Sequence, residues 1–478
     1  MDFKVKVLCG WMLLSVAGLA TPVGDLDILE AVKRGDQKAV LSLLQQRADV
    51  NAAQPDGSTA LAWAVHHNDL DMADLLVRSG ANPNSKNNLG VTPLSLACTN
   101  GSAPMVQKLL TAGADPNAAL QSGETPLLTC ARTGNVEAVK LLLAGGADPN
   151  AKESRRGQTA LMWAVSQKHS AVVQALIEGG ADVHARSEGG FTPLLFAARV
   201  GDEGSARALL QAGADVNEAT PQYGNSLVLA SSSGHETLAM FLLEKGATPN
   251  AVDANGVTPL HFAALKGLPT IGGLRYNTTM AYLFRPNMQE LTKALLAHGA
   301  NPNARVAKID KQFAATELAW IDAVDATPFM LAAASNDVAL MRLLADNGAD
   351  PLLATRNNTT PLMVAAGMGR TAERPPDEER MALETVKLLV ELGADVNAVD
   401  ASGQTALHSA SYIGADAIAQ FLVEHGAKMD VKDRYGMTPL TVADGIMPPE
   451  LPRIKRVRRP HESTAKLLRQ LAGNATTD

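Results

Sequence analysis

The sequence predicts an all-α fold, a solenoid of about twelve stacked helix-turn-helix units with insertions in its C-terminal half. A threonine recurs almost every 33 residues and begins a short Thr-Pro-Leu or Thr-Ala-Leu phrase. A Gly-Ala-Asp phrase or a near variant follows 21 residues later. The threonines are Thr59, Thr92, Thr125, Thr159, Thr192, Thr258, Thr327, Thr360, Thr405 and Thr438, and Asn225 fills the one vacant position. A period of this length is typical of a helical repeat array.

Composition agrees with an array of thin, closely stacked helices. The chain has 478 residues, of which 46% are hydrophobic and only 4% aromatic. A single core of ordinary size does not accommodate that length, whereas each unit of an array buries its apolar face only against its neighbours. The formal net charge of −7 argues against nucleic acid as the partner.

The N-terminus differs from the rest of the chain. Lys4 and Lys6 precede an apolar run from Val7 to Ala20, and small residues stand where a signal peptidase would cleave. We interpret residues 1–20 as an export signal. A buried helix and an uncleaved anchor are the alternatives, and the run is short for a membrane span. We therefore expect a mature chain, residues 21–478, in the periplasm or secreted.

Residues 125–150 illustrate one unit. Thr125 is a helix N-cap, Pro126 suits the first helical turn, and Gly134 ends the first helix. A second helix follows, with an expected apolar face formed by Val136, Val139, Leu141, Leu142 and Leu143. Gly146 ends that helix and begins an extended loop to the next unit.

The ends of the array and its interruptions follow from the register. We expect an N-terminal capping repeat at 21–53, repeats over about 54–440 and a C-terminal cap to 478, with a last helix at Ser463–Leu471. Four insertions lie near Gly267–Pro286, Arg305–Asp325, Gly369–Glu379 and Gly445–Pro460. The polar, proline-bearing segment Arg370–Arg380 predicts disorder, and Phe313–Val324 predicts a short extra helix.

The phrases at residues 256–267 and 403–414, and the closing Gly-Ala-Asp-Pro-Asn-Ala, closely resemble ankyrin repeats. The resemblance covers nearly all of residues 21–478. It implies two antiparallel helices and a protruding β-hairpin in each repeat. It also implies that His261 and His408, three residues after their threonines, support neighbouring loops by hydrogen bonding.

In proteins of the family that this chain resembles, partners bind on the concave side, at the ends of the first helices and just before each threonine. Carried onto this sequence, the resemblance predicts partner-binding residues, with Phe191 and Tyr412 as exposed aromatic anchors. The predicted residues are Phe191, His66, His67, Asn100, Arg132, Gln167, Arg199, Lys266 and Tyr412.

Other patterns indicate core residues rather than chemistry. Residues four positions after the threonines, including Trp63 and Trp163, are interpreted as inter-repeat core. Cys98 and Cys130 occupy unmatched positions of neighbouring repeats, so we interpret them as small apolar core residues and do not expect a disulfide. No catalytic, cofactor-binding or metal-binding motif is found, and His66 and His67 fall at freely varying helix ends.

One basic run lies near the C-terminus. It comprises Arg453, Lys455, Arg456, Arg458 and Arg459. It is either a solvated loop or a contact for an anionic surface, such as lipid headgroups or an acidic protein.

These observations predict a non-catalytic scaffold that binds another protein outside the cytoplasm, without cofactor or nucleic acid. Two alternatives stay open. One is an enzyme, or a protein that processes a ligand, with its site in the C-terminal insertions. The other is an adaptor attached to the cell envelope, with peripheral membrane contact through residues 453–459. The sequence leaves the partner's identity and the oligomeric state open.

Overall fold

A computed structural model describes residues 23–264, 288–308, 324–370, 373–446 and 460–474. The chain divides into two compact units, Met1–Gly189 (unit 1) and Gly190–Asp478 (unit 2). In their described parts, both units are stacks of short helix pairs, so the expected helical repeat fold is confirmed. The expected export signal, residues 1–20, lies outside the described residues.

Unit 1 consists of five helix pairs over residues 23–189. They are α1 (Val23–Lys33) and α2 (Gln37–Gln45), α3 (Ala60–His66) and α4 (Leu70–Arg78), α5 (Pro93–Thr99) and α6 (Ala103–Thr111), α7 (Pro126–Thr133) and α8 (Val136–Ala144), α9 (Ala160–Ser166) and α10 (Ser170–Glu178). The pair α1 and α2 lies where the capping repeat is expected. First helices pack on first helices of neighbouring pairs, and α8 packs on α6 and α10.

The ends of the first helix follow from local chemistry, as predicted. Thr125 Oγ1 accepts a hydrogen bond from the Leu128 amide at 3.4 Å, and Pro126 is the first residue of α7. Gly134 ends the helix at φ +83°. A Cβ atom there would lie 2.7 Å from Cε1 of His169. The backbone angle therefore favours glycine, and a larger residue would also have to displace the His169 ring of the next repeat.

The second helix buries a narrower face than the sequence predicts. Asn135 caps α8 through the Ala138 amide at 2.9 Å. Val139 and Leu142 are fully buried, whereas Val136 and Leu141 remain partly exposed. The flanks of the expected apolar stripe therefore contribute less to the core than its centre.

Unit 2 continues the pattern and contains the insertions. Its described helices are α11 (Pro193–Val200), α12 (Glu203–Gln211), α13 (Ser226–Ser233), α14 (Glu236–Glu244), α15 (Pro259–Ala264), α16 (Gln289–Ala297), α17 (Pro328–Ala334), α18 (Val338–Asp346), α19 (Pro361–Ala366), α20 (Pro376–Glu391), α21 (Ala406–Ile413), α22 (Asp416–Glu424), α23 (Pro439–Ala443) and α24 (Glu462–Asn474). Two short strands, β1 (Ala219–Thr220) and β2 (Gly224–Asn225), pair antiparallel with Ala219 opposite Asn225. The last helix, α24, covers the expected Ser463–Leu471.

In eight of the described repeats, an asparagine at the end of the closing phrase links successive loops. Asn117 Oδ1 accepts from the Asp148 amide at 2.8 Å, and its Nδ2 donates to the Gly146 carbonyl at 2.9 Å. The same two bonds recur at seven further asparagines: Asn51, Asn84 and Asn150 in unit 1, and Asn217, Asn250, Asn303 and Asn397 in unit 2. The periodic asparagine therefore satisfies backbone groups of the following repeat.

The two cysteines of unit 1 form a disulfide, which corrects the sequence prediction. Cys98 and Cys130 are bonded, with their Cα atoms 4.6 Å apart, and both are fully buried. Their assignment to the core is confirmed, but the expectation of no disulfide is wrong. α5 and α7 pack side by side, so positions that do not match in sequence register face each other across the two helices.

The insertion at Gly369–Glu379 is ordered where the structure describes it, so the prediction of disorder is wrong for those residues. α20 begins at Pro376 and runs for 16 residues, with Asp377, Glu378 and Glu379 in its first turn. Proline and acidic side chains favour a helix N-terminus. Residues 371–372, 265–287, 309–323 and 447–459 lie outside the described residues, and with them most of the other three insertions and of the expected Phe313–Val324 helix.

Candidate partner-binding surface

The side chains at the ends of the first helices, with the residues just before each capping threonine, form what we call the helix-end surface. In unit 1, His66, His67, Asn100 and Gln167 are exposed, and the side chain of Arg132 is 39% exposed. The structure thus places these predicted contact residues at the surface. Their role in binding stays a prediction.

Arg132 is held in position by two neighbours. Its guanidinium lies 5.2 Å from the ring centroid of Trp163, within cation–π distance. Its Nη2 is 3.4 Å from Oε1 of Glu124, and that oxygen also accepts a hydrogen bond from Thr129 Oγ1 at 2.8 Å. The guanidinium is therefore fixed against one aromatic face and one carboxylate while part of it stays accessible.

A second aromatic cluster surrounds Trp63. The ring centroids of His66 and His67 lie 5.6 and 5.9 Å from that of Trp63. Lys33 Nζ is 5.0 Å from the indole centroid, and the indole Nε1 donates to Gln54 Oε1 at 3.1 Å. The paired histidines therefore rest on an ordered indole ring.

The two tryptophans are the surface residues that sequence reasoning missed. Trp63 and Trp163 are only partly buried, although their shared position four residues after threonine is interpreted as inter-repeat core. The recurrence of tryptophan at one position of the repeat is the sequence signal that could have identified them. Whether a ring at this position is exposed depends on the residue that lies over it. In unit 1 polar side chains lie over the two tryptophans, Lys33 over Trp63 and Arg132 over Trp163.

Asn100 acts differently from a contact side chain. Its Nδ2 donates to the Val65 carbonyl at 2.7 Å and to the His66 carbonyl at 3.3 Å. Both carbonyls lie at the end of α3, where backbone acceptors have no partner within the helix. Asn100 thus links two successive repeats as well as lying at the surface.

In unit 2, the expectation that Phe191 is an exposed anchor is wrong. Phe191 is 7% exposed, and its ring centroid lies 5.5 Å from that of Phe196 and 5.3 Å from that of Tyr223. Arg199, which is exposed, lies over Phe191 and Phe196 at 5.2 and 4.9 Å. The accessible aromatic residue of this cluster is Tyr223, at 42% exposure, which the sequence did not single out.

Tyr412 is exposed at the end of α21, as expected. Its carbonyl accepts a hydrogen bond from Nε2 of His461 at 3.0 Å, and His461 Nδ1 is 3.2 Å from Oε1 of Glu373. A residue of one insertion, Glu373, therefore meets the residue that directly follows another, His461, beside this helix end. The predicted contact Lys266 and the basic run, Arg453 to Arg459, lie outside the described residues.

The two histidines expected to be structural are confirmed in that role. Nδ1 of His261 accepts from the Thr258 amide at 3.2 Å, and Nε2 donates to the Ala326 carbonyl at 3.2 Å. His408 makes the same bonds to Thr405 and to the Met437 carbonyl. Burial lowers the pKa of His261 to about 4 and also lowers the pKa of His408. Both imidazoles are neutral, and each connects a helix N-cap threonine to the following loop by hydrogen bonds.

The arrangement is suited to recognition. It presents aromatic faces, arginines and amides at successive helix ends, which are the residue types that anchor protein interfaces. Within the ranges that the structure describes, no three His, Cys, Asp or Glu side chains converge to hold a metal ion. In the same ranges no helix has the length and apolarity needed to span a membrane.

Comparison with known protein families gives a match to a model described as ankyrin repeats (3 copies). The model matches residues 28–120, 96–187, 127–220, 194–306 and 378–444. The matched ranges extend over both units and include the helix-end surface of unit 1. Proteins built from such repeats are typically interaction modules without enzymatic activity, and the repeats imply a protein-interaction scaffold.

Curated relatives match only over parts of the chain. The Caenorhabditis elegans transient receptor potential cation channel subfamily A member 1 homolog is 26% identical over 41% of this chain and 15% of its own length. Human Rabankyrin-5 is 39% identical over 18% of this chain and 7% of its own length. Mouse ankyrin repeat and SOCS box protein 16 is 32% identical over 25% of each chain. The match thus covers a quarter or less of each of these relatives.

Proposed function

Because the chain belongs to the ankyrin-repeat family, we propose that it is an exported, non-enzymatic scaffold that binds a protein partner on the concave side of its repeats. The helix-end surface of unit 1 supplies the contacts. Arg132, Trp163, His66 and His67 are the main contact residues.

The fixed position of Arg132 is the observation that carries this proposal. Its guanidinium is held by Trp163 and Glu124 before any partner arrives. Ordering a flexible side chain on binding costs free energy, and a side chain that is already ordered avoids most of that cost. Arginine and tryptophan are also the residue types that dominate interface energetics.

The disulfide supports action outside the cytoplasm. Disulfides persist in oxidising compartments and are rare where thiol reductants are abundant. Cys98 and Cys130 are bonded and fully buried. The lysines and apolar run of residues 1–20 point to the same compartment. Edman sequencing of protein recovered from outside the cytoplasm is expected to begin near residue 21, and alkylation of its cysteines should require prior reduction.

Charge reversal at Arg132 tests the binding surface. Arg132→Glu places a carboxylate beside Glu124 and removes the cation from Trp163. The matched control is Lys140→Glu, an equal charge change at an exposed position of α8. Affinity capture from an extract of the source organism, followed by quantitative mass spectrometry, compares the two variants with the wild type.

We expect the wild type and Lys140→Glu to capture the same partners in equal amounts. Arg132→Glu should lose these partners. Loss of one well-packed anchor typically weakens binding by roughly 30-fold or more. Trp163→Ala is expected to lose the same partners. Equal recovery by all four proteins would place the binding surface elsewhere, and turnover of a substrate by the purified chain would contradict the non-enzymatic assignment.

A further inference from the structure

A buried arginine in an insertion of unit 2 has a single hydrogen-bond acceptor among the residues that the structure describes. Arg374 is 8% exposed and lies two residues before the start of α20. Its Nη2 donates to the Ala365 carbonyl at 2.7 Å, at the C-terminal end of α19. Its Nε and Nη1 are shielded from solvent and have no hydrogen-bond partner in the described part of the chain. A buried guanidinium normally has these donors satisfied.

The neighbouring carboxylates are engaged elsewhere. Glu378 Oε1 lies 2.7 Å from Nη2 of Arg370, and Glu373 Oε1 lies 3.2 Å from Nδ1 of His461. Among the residues that the structure describes, no carboxylate is within ion-pairing distance of Arg374. Within the described ranges, acids therefore lie near this guanidinium without forming a direct ion pair with it.

Burial and a neighbouring cation both disfavour the charge of Arg374. The pKa of Arg374 is lowered to about 10, first because burial disfavours its charge and second because the Arg370 cation is close. Glu378 and Glu379 act in the opposite direction but do not cancel these effects. A bound anion would relieve both the burial of an unpaired charge and the repulsion between the two arginines.

We propose that Arg374 and Arg370 form a binding site for a carboxylate group. The planar fork of a guanidinium matches the two oxygens of a carboxylate. A singly charged ligand is favoured over phosphate because the carboxylates of Glu378 and Glu379, which act on Arg374, would repel a second negative charge. The site lies just below the surface, since Glu373 and Pro375, on either side of Arg374, are both exposed.

The carboxylate has two sources, a small free acid or an acidic side chain of another protein. The site belongs to unit 2 and does not depend on the helix-end surface of unit 1. Its test is therefore independent of capture experiments with Arg132→Glu.

Titration calorimetry of the full chain with sodium acetate, against sodium chloride at equal ionic strength, tests the site. We expect saturable binding at one site in the wild type. Arg374→Gln and Arg370→Gln each remove a charge-assisted hydrogen-bond donor, so acetate affinity should fall roughly tenfold or more. Arg380→Gln is the matched control, because this exposed arginine of the same insertion pairs with Asp377. Arg374→Lys keeps the charge without the fork and should recover little affinity.

A second titration identifies the source of the carboxylate. An acetylated, C-terminally amidated peptide with a single glutamate that binds much more tightly than acetate indicates an acidic protein segment, and equal affinities indicate a small acid. Circular dichroism establishes that each variant is folded. The proposal is overturned if acetate does not bind the wild type, if folded Arg374→Gln binds it equally well, or if inorganic phosphate binds more tightly through the same arginines.

Discussion

The disulfide of unit 1 makes a quantitative prediction about stability. It joins Cys98 to Cys130, 32 residues apart in sequence. Closing a loop of that length restricts the unfolded chain, which corresponds to about 3.7 kcal/mol of stabilisation at 25 °C in the loop-entropy model. At a urea dependence of about 2 kcal/mol per molar, the unfolding midpoint of unit 1 should fall by about 2 M on reduction.

Urea titration with and without a thiol reductant measures this shift. The fluorescence of Trp63 and Trp163 reports on the repeats that flank the bridge. The double variant Cys98→Ala with Cys130→Ala should unfold near the midpoint of the reduced wild type. Alanine suits these sites because the sequence has alanine at the corresponding core positions of neighbouring repeats, such as Ala97.

The double variant also provides the control, because reductant should not change its midpoint. Hydrogen exchange should show the loss of protection concentrated in α5 and α7. Reduction that leaves the wild-type midpoint unchanged would refute the reasoning. So would a reductant effect of equal size in the double variant, since that shift could not come from the bridge.

Two further perturbations follow from the described contacts. Asn117→Ala removes two bonds to the next loop and should lower the free energy of unfolding by about 1–2 kcal/mol. In the same urea titration, Gln107→Ala, at an exposed position of α6, should change it by less than about 0.5 kcal/mol. The pKa of His261 is about 4 in the folded chain and 6.5 in the unfolded chain. Its contribution to the free energy of unfolding is therefore present above pH 6.5. That contribution, about 3 kcal/mol, is lost as pH falls from 6.5 to 4. A His261→Gln variant should lose this acid sensitivity, and an unchanged pH profile would contradict the assignment.

Local chemistry explains why the helix ends could be predicted from sequence. Thr125 caps α7 through an amide three residues away, and Gly134 ends the same helix with a backbone angle that other residues rarely adopt. Such interactions involve residues within about one helical turn, so the sequence contains the whole cause. The same signal was present at Pro376, where proline and three acidic residues begin α20, but polarity and proline content were interpreted as disorder.

The candidate surface was predicted less well, because exposure depends on other repeats. Phe191 is covered by Tyr223 and Arg199, and Tyr223 follows it by 32 residues. Trp163 stays partly exposed because Arg132 of the preceding repeat is what lies over its ring. The prediction was therefore right that Arg132 and Tyr412 lie at the surface, and wrong about the exposure of Phe191.

The sequence by itself determined the period and the capped helix ends, because the period is counted along the chain and each cap depends on residues within about one helical turn. Only the tertiary structure decided that Cys98 meets Cys130, that Phe191 is buried, and that Arg374 is buried with no counterion among the described residues. Each of these depends on which side chain a packed neighbour brings into contact. Which side chains come into contact depends on how the helices of successive repeats are offset when they pack. That offset cannot be obtained by counting residues along the chain.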